Sequence, residues 1–379
     1  MPSVPYRFLD HAESIRDYLG TVLTQSELAI DLEADSLYSY PENVCLVQLS
    51  TASANTIIDP LSGREGMVPL GAALSSRAVT KVFHGADYDI RLIKKEYGFG
   101  ISNVVDTMIA AQLIGRTRVG LADLLQEEFD VQLDKRHQRA NWSTRPLPAD
   151  MLNYATLDTA YLLPLWARLR QRLEKLGRLA WAEEEFSLLE AIAPSPDRPA
   201  SCFDIAGAVR LSLRERARLQ ALVELRERTA RAWNRPPFKI LSDQTLLAWA
   251  QSPPGSLDQI VRTPRAGQGI LRRLAREVLD ALRRAESMPE RDCPLRSLSP
   301  YVPLTGPQRA RLDNLKAARH AAAQRLGLSA GMLASSRTLD RLCRAQRDQV
   351  SELLRVSLKQ WQFDLLGDEL LGILTTGSR

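Results

Sequence analysis

The sequence predicts an α/β domain followed by two small helical domains. Six strand-like segments occur within the first 105 residues, and the chain from Asp106 to about Glu190 is mostly helical in pattern. Mixed strands followed by flanking helices are typical of an α/β domain. A Pro-rich stretch, 193–199, ends this region, and a helical layout of about 80 residues then occurs twice. Because 379 residues are too many for one compact core, we expect several domains. We place them at residues 1–195, 205–290 and 300–379.

The strand-like segments of the first domain are rich in β-branched and alternating apolar residues. They cover residues 4–8, 26–31, 43–50, 55–58, 79–83 and 103–105. Helices are predicted over 10–19 and 87–97, and the second of these stops at Gly98. Two pairs of carboxylates, Asp31 with Glu33 and Asp87 with Asp89, are the first candidates for chemistry.

Composition excludes several classes of protein. The hydrophobic content is 45%, as in ordinary soluble proteins, and no run of 18 apolar residues could span a membrane. Residues 1–7 lack the apolar core of a signal peptide. The four scattered cysteines include no C-x-x-C pair, so neither a zinc site nor a disulfide framework is indicated. We expect a cytoplasmic protein. No sequence feature predicts a stable oligomer, so we expect a monomer.

Charge is distributed unevenly along the chain. Residues 1–200 hold 20 Lys and Arg against 27 Asp and Glu, a net charge of −7, whereas residues 201–379 hold 30 against 18, a net charge of +12. An acidic half joined to a basic half suggests metal-dependent chemistry on one side and polyanion binding on the other. The alternative is a solvated helical surface that is rich in arginine.

The segment 28–35 ends an apolar run with two carboxylates, Asp31 and Glu33. On a β-strand this spacing places both on one face, about 7 Å apart along the strand. Two buried like charges are costly unless a cation joins them, and hard carboxylates suit Mg²⁺ or Mn²⁺. The alternative is a strand that runs out into a polar loop, because an Asp-x-Glu pair also occurs by chance.

A second acidic pair occurs in residues 84–92, where Asp87 and Asp89 follow a His-Gly-Ala sequence. Asp87 stands where a helix N-cap or a first-turn acid would be, and this role is sufficient to explain it. Asp89 has no such role and precedes the apolar positions of the predicted helix. We therefore assign function to Asp89 and capping to Asp87.

Tyr154 and Asp158 are one helical turn apart and so share one face of a predicted helix. Apolar neighbours give that helix a buried side, so the pair either points into a cleft or lies on an ordinary rim. Before this helix lies a basic loop, 134–147, that contains one aromatic residue, Trp142. Such a loop beside carboxylates suits a phosphate backbone, although packing is the expected role of Trp142.

Taken in order, these residues resemble the three exonuclease motifs of the DEDD superfamily, in its tyrosine-containing branch. The motifs are Asp31-x-Glu33, His84-Gly85-Ala86-x-x-Asp89 and Tyr154-x-x-x-Asp158. Two further segments are similar to the ribonuclease D family, namely Gly120-Leu121-Ala122-Asp123-Leu124 and the turn Trp142…Arg145-Pro146-Leu147. The resemblance covers about residues 1–190 and implies a ribonuclease-H-like α/β fold with a central mixed sheet. It also implies a 3′→5′ exonuclease that uses two divalent ions, Mg²⁺ or Mn²⁺, and releases nucleoside 5′-monophosphates.

The resemblance also implies a role for each motif residue. Asp31, Glu33 and Asp158 would hold one ion. Asp31 would bridge to a second ion, which Asp89 would hold. Two cations a few ångströms apart can stabilise both the attacking and the leaving oxygen of a phosphate. Tyr154 would orient the attacking water, because a phenol with a pKa of about 10 is a poor base at neutral pH.

The basic second half resembles helicase-and-RNase-D C-terminal (HRDC) domains, which are small helical nucleic-acid-binding modules. The first copy contains the run Asn234-Arg235-Pro236-Pro237-Phe238-Lys239-Ile240-Leu241-Ser242-Asp243 after a predicted helix over 211–233. The second copy begins with a predicted helix over 306–326, but it lacks this run and its end is acidic. Its direct contact with RNA is therefore in doubt, and packing or a wall of the substrate path is its expected task.

The sequence therefore predicts a ribonuclease D-type 3′→5′ exoribonuclease that trims RNA 3′ ends, such as those of tRNA precursors. A DNA exonuclease is an alternative, because HRDC modules also occur with DNA helicases, but no helicase or polymerase motif is visible. A non-catalytic nucleic-acid-binding protein is a second alternative, although all four carboxylates and Tyr154 are present. The residues expected to bind substrate are His84, Lys135, Gln138 and Arg145. We expect deletion of residues 200–379 to impair binding of structured RNA more than cleavage of short oligonucleotides.

Overall fold

The computed structural model describes residues 4–134, 136–194, 198–264, 267–295 and 302–376. The chain forms two compact units. The first comprises Met1–Glu33, Val44–Ser195 and Val302–Arg379, and the second comprises Ala34–Asn43 and Pro196–Tyr301. The three predicted sequence domains thus correspond to two compact units, because the last helical module belongs with the first domain.

A mixed sheet of six strands lies at the centre of the first unit. The strands are β1 (Arg7–Leu9), β2 (Glu27–Ala34), β3 (Val44–Ser50), β4 (Asn55–Ile58), β5 (Thr80–Phe83) and β6 (Val104–Asp106). Their spatial order is β1-β4-β3-β2-β5-β6. β5 runs parallel to β2 and β6, β1 runs parallel to β4, and β3 runs antiparallel to β4. The predicted central mixed sheet is confirmed, and the strand that carries the first motif lies inside it.

Nine α-helices surround the sheet in the described part of the first domain. They are α1 (Ala12–Val22), α2 (Pro60–Gly63), α3 (Val68–Ser75), α4 (Asp87–Tyr97), α5 (Thr107–Leu113), α6 (Leu121–Phe129), α7 (Ala149–Ala160), α8 (Leu162–Lys175) and α9 (Leu179–Glu190). A 3₁₀ turn, Arg64–Met67, joins α2 to α3. Helix α4 has the predicted bounds because Gly98, at φ +69°, provides the left-handed residue that commonly ends a helix.

Strand β2 is longer than its sequence pattern predicts. The prediction ended it at Asp31, whereas the strand continues to Ala34. Its apolar residues up to Ile30 are buried, as expected for a strand covered on both faces. Asp31 and Glu33 therefore lie within the strand and are held by sheet geometry, not by a mobile loop.

The second helical module, which is the second copy in the sequence analysis, packs against the first domain and shares its hydrophobic core. Its helices are α15 (Gly306–Leu326), α16 (Ala330–Leu333), α17 (Ser336–Cys343), α18 (Val350–Ser357) and α19 (Gln360–Thr376). One continuous cluster of buried side chains includes Ala29 and Val82 from the sheet, Leu169 from α8, and Leu315 and Leu370 from this module. Packing, one of the tasks expected for the second copy, is therefore what the structure displays.

The first helical module, which is the first copy in the sequence analysis, lies in the second compact unit. Its helices are α10 (Leu213–Ala232), α11 (Pro237–Ile240), α12 (Asp243–Gln251), α13 (Leu257–Val261) and α14 (Gln268–Glu286), with 3₁₀ turns at Cys202–Asp204, Ala208–Arg210 and Glu290–Asp292. Ser212 and Glu215 form a reciprocal capping box at the start of α10, which explains why this long helix begins there.

The segment that joins β2 to β3 also belongs to the second unit. The Tyr40 hydroxyl donates to the Glu227 carboxylate, and the Tyr40 backbone N–H donates to Asn234 Oδ1 at 2.9 Å. The Lys239 ammonium lies 4.2 Å from the ring centroid of Tyr38. No helix in the described ranges is both long enough and apolar enough to cross a membrane.

Candidate active site

A cavity of about 500 Å³ opens beside β2 in the first unit. Its lining includes Asp31, Glu33, His84, Gln138, Tyr154 and Asp158. Because side chains alternate along a strand, Asp31 and Glu33 both point to the cavity face of β2. The cavity thus collects residues from all three motifs, although the first and the third are more than 120 positions apart in the sequence.

Helix α7 brings the third motif to the strand. Tyr154 and Asp158 are one turn apart, and both side chains line the cavity. Carboxylate oxygens of Asp31, Glu33 and Asp158 lie within 4.8 Å of one another. The three residues therefore form a compact acidic cluster, in which Asp31 and Glu33 come from strand β2 and Asp158 comes from helix α7.

Asp89 lies in the first turn of α4 and is buried. It stands outside the compact group of three, but its charge raises the pKa of Glu33, and the charge of Asp31 raises its own pKa. The four carboxylates thus interact electrostatically, with Asp89 at the edge of the cluster. Asp87, in contrast, is exposed and pairs with Arg91 one turn later, at 2.9 Å.

Burial is the first cause of the raised pKa values in this cluster. It raises the pKa of Asp31 to about 7. It also raises the pKa of Asp158, and the charge of Asp31 adds to that shift. For Glu33, burial is followed by repulsion from Asp31, Asp158 and Asp89. The groups that shift these four carboxyls include no cationic side chain.

Such a donor set fits a divalent cation. Several buried carboxylates without a protein cation are unstable when all are charged, and a hard metal ion removes that cost. Oxygen ligands within 4.8 Å of one another can reach a common ion. Asp31, Glu33 and Asp158 are therefore the residues that could hold it, and Asp89 could hold a neighbouring ion.

The Tyr154 phenol is placed to donate a hydrogen bond and not to act as a base. Its ring packs against Trp142 and His137, with centroids 6.0 Å and 5.7 Å away. Burial raises its pKa, and the charges of Asp158 and Glu33 raise it further. The phenol is consequently protonated at neutral pH. Trp142 is fully buried, so its expected packing role agrees with its position.

Asp106 is a buried residue that supports the site and that the sequence patterns did not single out. Its carboxylate accepts from the backbone N–H groups of Gly85 and Ala86 at 3.0 Å and 2.8 Å, just before α4. It also caps α5 by accepting from Met108 N–H at 2.8 Å. Asp106 thereby fixes the start of the helix that carries Asp89. An Asp after an apolar run was the available sequence signal.

His84 lines the cavity but is held by protein contacts. Its Nδ1 atom lies 2.9 Å from Thr107 Oγ1, and its ring also forms a hydrogen bond with the backbone of Val119. Burial lowers the pKa of His84. These contacts join the start of α5 to the loop before α6, so they give His84 a positioning task. Contact with substrate stays a prediction.

The other three expected substrate-binding residues have different surroundings. Gln138 is exposed and lines the cavity. Lys135 lies outside the described residues. Arg145 donates to both oxygens of the buried Asp59 carboxylate, at 2.5 Å and 2.7 Å, and to the carbonyl oxygens of Trp142 and Cys45. Arg145 therefore anchors the basic loop to the sheet, and these contacts favour a structural role over the predicted RNA contact.

Comparisons with known families agree with the domain order. The sequence profile of the 3′-5′ exonuclease family matches residues 6–174. The HRDC domain profile matches residues 215–282 and 308–374, so the second copy is recognised as well as the first. The exonuclease profile and the two HRDC profiles together thus cover most of the chain.

Two relatives match over nearly the whole length, and a third matches over the first domain. The chain is 29% identical over 366 residues to ribonuclease D of Granulibacter bethesdensis, covering 96% of this chain and 91% of that protein. The crystal structure of Escherichia coli RNase D, an exoribonuclease involved in structured RNA processing, matches with a TM-score of 0.75 and 25% identity, covering 98% and 99% of the two chains. The first domain is also 42% identical over 151 residues to exosome complex component 10 of Rattus norvegicus, covering 40% of this chain and 17% of that protein.

Proposed function

Because this chain belongs to the ribonuclease D family of 3′→5′ exoribonucleases, we propose that it shortens RNA at the acidic cluster of Asp31, Glu33, Asp89 and Asp158. The observation that carries this proposal is the meeting of three carboxylates, whose oxygens lie within 4.8 Å of one another, in a cavity that Tyr154 also lines. Water attacks the last phosphate, the bond to the 3′ oxygen breaks, and a nucleoside 5′-monophosphate leaves.

The proposed cofactors are two divalent ions, Mg²⁺ or Mn²⁺. Asp31, Glu33 and Asp158 would hold one, and Asp31 with Asp89 would hold the other. When bound, such ions lower the pKa of a water molecule and neutralise charge on the phosphate. The carboxylates supply the negative charge that attracts them, and a bound cation would relieve the repulsion from Asp31, Asp158 and Asp89 that adds to the raised pKa of Glu33.

The protein's own groups orient the reaction. Tyr154 keeps its proton at neutral pH, so its hydroxyl can donate a hydrogen bond to an oxygen of the substrate or of the attacking water. Asp106 holds the turn before α4, which keeps Asp89 in reach of the cluster. Since all these residues come from one chain, catalysis needs no second copy, and we propose a monomer. Four buried cysteines that form no disulfide support a reducing, cytoplasmic setting.

A direct test uses a single-stranded RNA and the matching DNA, each labelled at the 5′ end. The purified protein is incubated with Mg²⁺, Mn²⁺ or EDTA, and an Asp31→Asn variant is run alongside. We expect RNA to shorten from its 3′ end with either metal. Cleavage should stop with EDTA and fall by at least about a thousandfold in the variant. Faster loss of DNA would favour the alternative of a DNA exonuclease. Binding without any shortening would identify a binding protein.

The proposed physiological substrates are tRNA precursors with extended 3′ ends. E. coli RNase D, whose structure covers 98% of this chain, is involved in structured RNA processing, and the HRDC modules suit such a partner. A 3′-extended tRNA transcript should lose its tail and stop near the acceptor stem, whereas an unstructured RNA of equal length should be degraded further. Equal degradation of both would rule out this substrate preference.

A further inference from the structure

A second cavity, of about 420 Å³, adjoins the acidic one. The loop between α5 and α6 and the first two turns of α6 line it, and Asp123 lines both cavities. Asp123 therefore stands at the passage from the reaction site to a groove that extends over residues 116–118. An RNA chain whose 3′ end lies at the carboxylates must leave the cavity in some direction, and this groove is one that the structure provides.

Two arginines line the groove, and their surroundings differ sharply. Arg116 pairs with Glu127 and, at 3.1 Å, with the buried Glu128, so its side chain is only 30% exposed. Arg118 pairs with Asp123 alone, and its side chain is 79% exposed. Exposed ion pairs of this kind are worth about 1 kcal/mol or less, so the Arg118 pair can open at small cost. Arg116 is thus part of the fold, whereas Arg118 is available to a ligand.

The loop that presents Arg118 is fixed at its beginning. Gly115 has φ +90°, and a side chain there would lie 2.5 Å from the carbonyl oxygen of Gly327 in the second helical module. The buried Arg178 guanidinium donates to the carbonyl oxygens of Leu113 and Leu326, at 2.7 Å and 2.6 Å. The second helical module therefore holds the end of α5, and Arg118 follows only a few residues later. A fixed loop reduces the entropy that is lost when its arginine binds a ligand.

Electrostatics give this arginine a reason to bind RNA. The acidic cavity repels every phosphate that is not neutralised by a metal ion, and Asp123 adds another carboxylate at its edge. Guanidinium groups bind phosphates with two parallel hydrogen bonds as well as they bind carboxylates. We propose that Arg118 exchanges Asp123 for a backbone phosphate of the RNA upstream of the reacting one. This inference rests on the proposed exoribonuclease function and adds a positioning contact to it.

If Arg118 exchanges partners in this way, substitutions of Arg118 and of Asp123 should change the affinity for RNA in opposite directions. In Arg118→Ala the phosphate contact is lost, so RNA should bind roughly three- to fivefold more weakly. In Asp123→Asn the competing negative charge is lost while Arg118 remains, so RNA should bind roughly twofold more tightly. If the Arg118–Asp123 pair merely braced the loop, both substitutions would weaken binding and both would lower the melting temperature.

The measurement is the equilibrium binding of a 5′-labelled single-stranded RNA across a series of salt concentrations. Both substitutions are placed in the Asp31→Asn background with Mg²⁺ present, so that the RNA is not consumed. Loss of one phosphate contact should reduce the slope of log K against log salt by about 0.7. In the otherwise unsubstituted enzyme, Arg118→Ala should raise KM for a short oligonucleotide and leave kcat nearly unchanged.

Arg77→Ala is the matched control. Arg77 is 81% exposed, lies near a single carboxylate at 3.8 Å, and precedes β5 at the end of the strand opposite His84. The Arg77→Ala substitution removes the same charge far from the cavity, so it should leave the slope of log K against log salt unchanged. An Arg118→Ala protein that behaves like Arg77→Ala, or an Asp123→Asn protein that also binds more weakly, would overturn the inference. A parent enzyme that binds RNA without shortening it would instead refute the proposed function, because binding and cleavage are read separately.

Discussion

The indole rings of Trp181 and Trp361 stack with their centroids 5.1 Å apart and an angle of 17° between their planes. Trp181 belongs to α9 of the first domain, and Trp361 to the first turn of α19 in the second helical module. Glu185 joins the same contact by accepting from the Trp361 ring N–H at 2.9 Å and from the Lys359 ammonium at 2.5 Å. A mostly buried polar and aromatic contact therefore joins two parts of the chain that are 180 residues apart.

Trp361→Ala should destabilise the first unit by about 3–5 kcal/mol, because it removes a buried aromatic side chain and leaves a cavity between α9 and α19. The free energy of unfolding from urea denaturation measures this. Phe238→Ala is a suitable control, since Phe238 is exposed and lies in the second unit. An unchanged midpoint in the Trp361 variant would mean that the second helical module docks without contributing to stability.

Removal of residues 302–379 should prevent stable folding of the first domain. The truncation would expose the part of the shared core that Leu315 and Leu370 cover, including Leu169. Cleavage of short oligonucleotides should therefore be lost together with cleavage of structured RNA, unlike the expectation drawn from the sequence for deletion of residues 200–379. Circular dichroism melts and size-exclusion chromatography test this. A truncated protein with a cooperative melt and normal cleavage of short RNA would contradict it.

The metal-free protein should become less stable as pH rises from about 4 to about 7. The folded-state pKa of Asp31 is raised from 3.8 to about 7, so the native state binds more protons than the unfolded state within this window. Stability that is present below the unfolded pKa is therefore lost as pH rises through the folded value. Melting temperatures in EDTA measure the effect.

Metal ions and one substitution should cancel this pH dependence. Mn²⁺ should raise the melting temperature strongly at about pH 8 and weakly at about pH 5, because protons compete for the same carboxylates. Asp31→Asn should flatten the curve in EDTA. Asp87→Asn serves as the control, since Asp87 is exposed and already pairs with Arg91. If the melting temperature of the metal-free protein instead rose between about pH 5 and about pH 8, the raised pKa values would be contradicted.

Arg145→Gln should cost about 3–5 kcal/mol of folding stability, because it leaves the carboxylate of Asp59 buried without its cation. Burial alone would raise the pKa of Asp59, but Arg145, Ser62 and the Leu61 N–H outweigh burial and lower it. The double variant with Asp59→Asn should recover part of the loss. A raised KM for RNA with unchanged stability would instead support the substrate contact predicted from the sequence.

Local periodicity explains why much of the site could be predicted. Alternation along a strand puts Asp31 and Glu33 on one face, and the helical repeat does the same for Tyr154 and Asp158. The prediction ended β2 three residues early because two carboxylates read as the beginning of a loop. In the structure, a buried strand tolerates them because they face a cavity rather than the core.

The sequence by itself determined the order of the motifs, the mixed sheet, the helical modules and the choice of candidate carboxylates, since each depends on residues close together along the chain. Only the tertiary structure decided which basic residues are free. Arg145 pairs with the buried Asp59, which is 86 positions away in the sequence. Arg118 is exposed and, among the residues that the structure describes, pairs only with Asp123 on the next helix. The tertiary structure also merged the second helical module with the first domain. Contacts between distant residues depend on how whole elements pack, and no local pattern of hydrophobicity or charge records that packing.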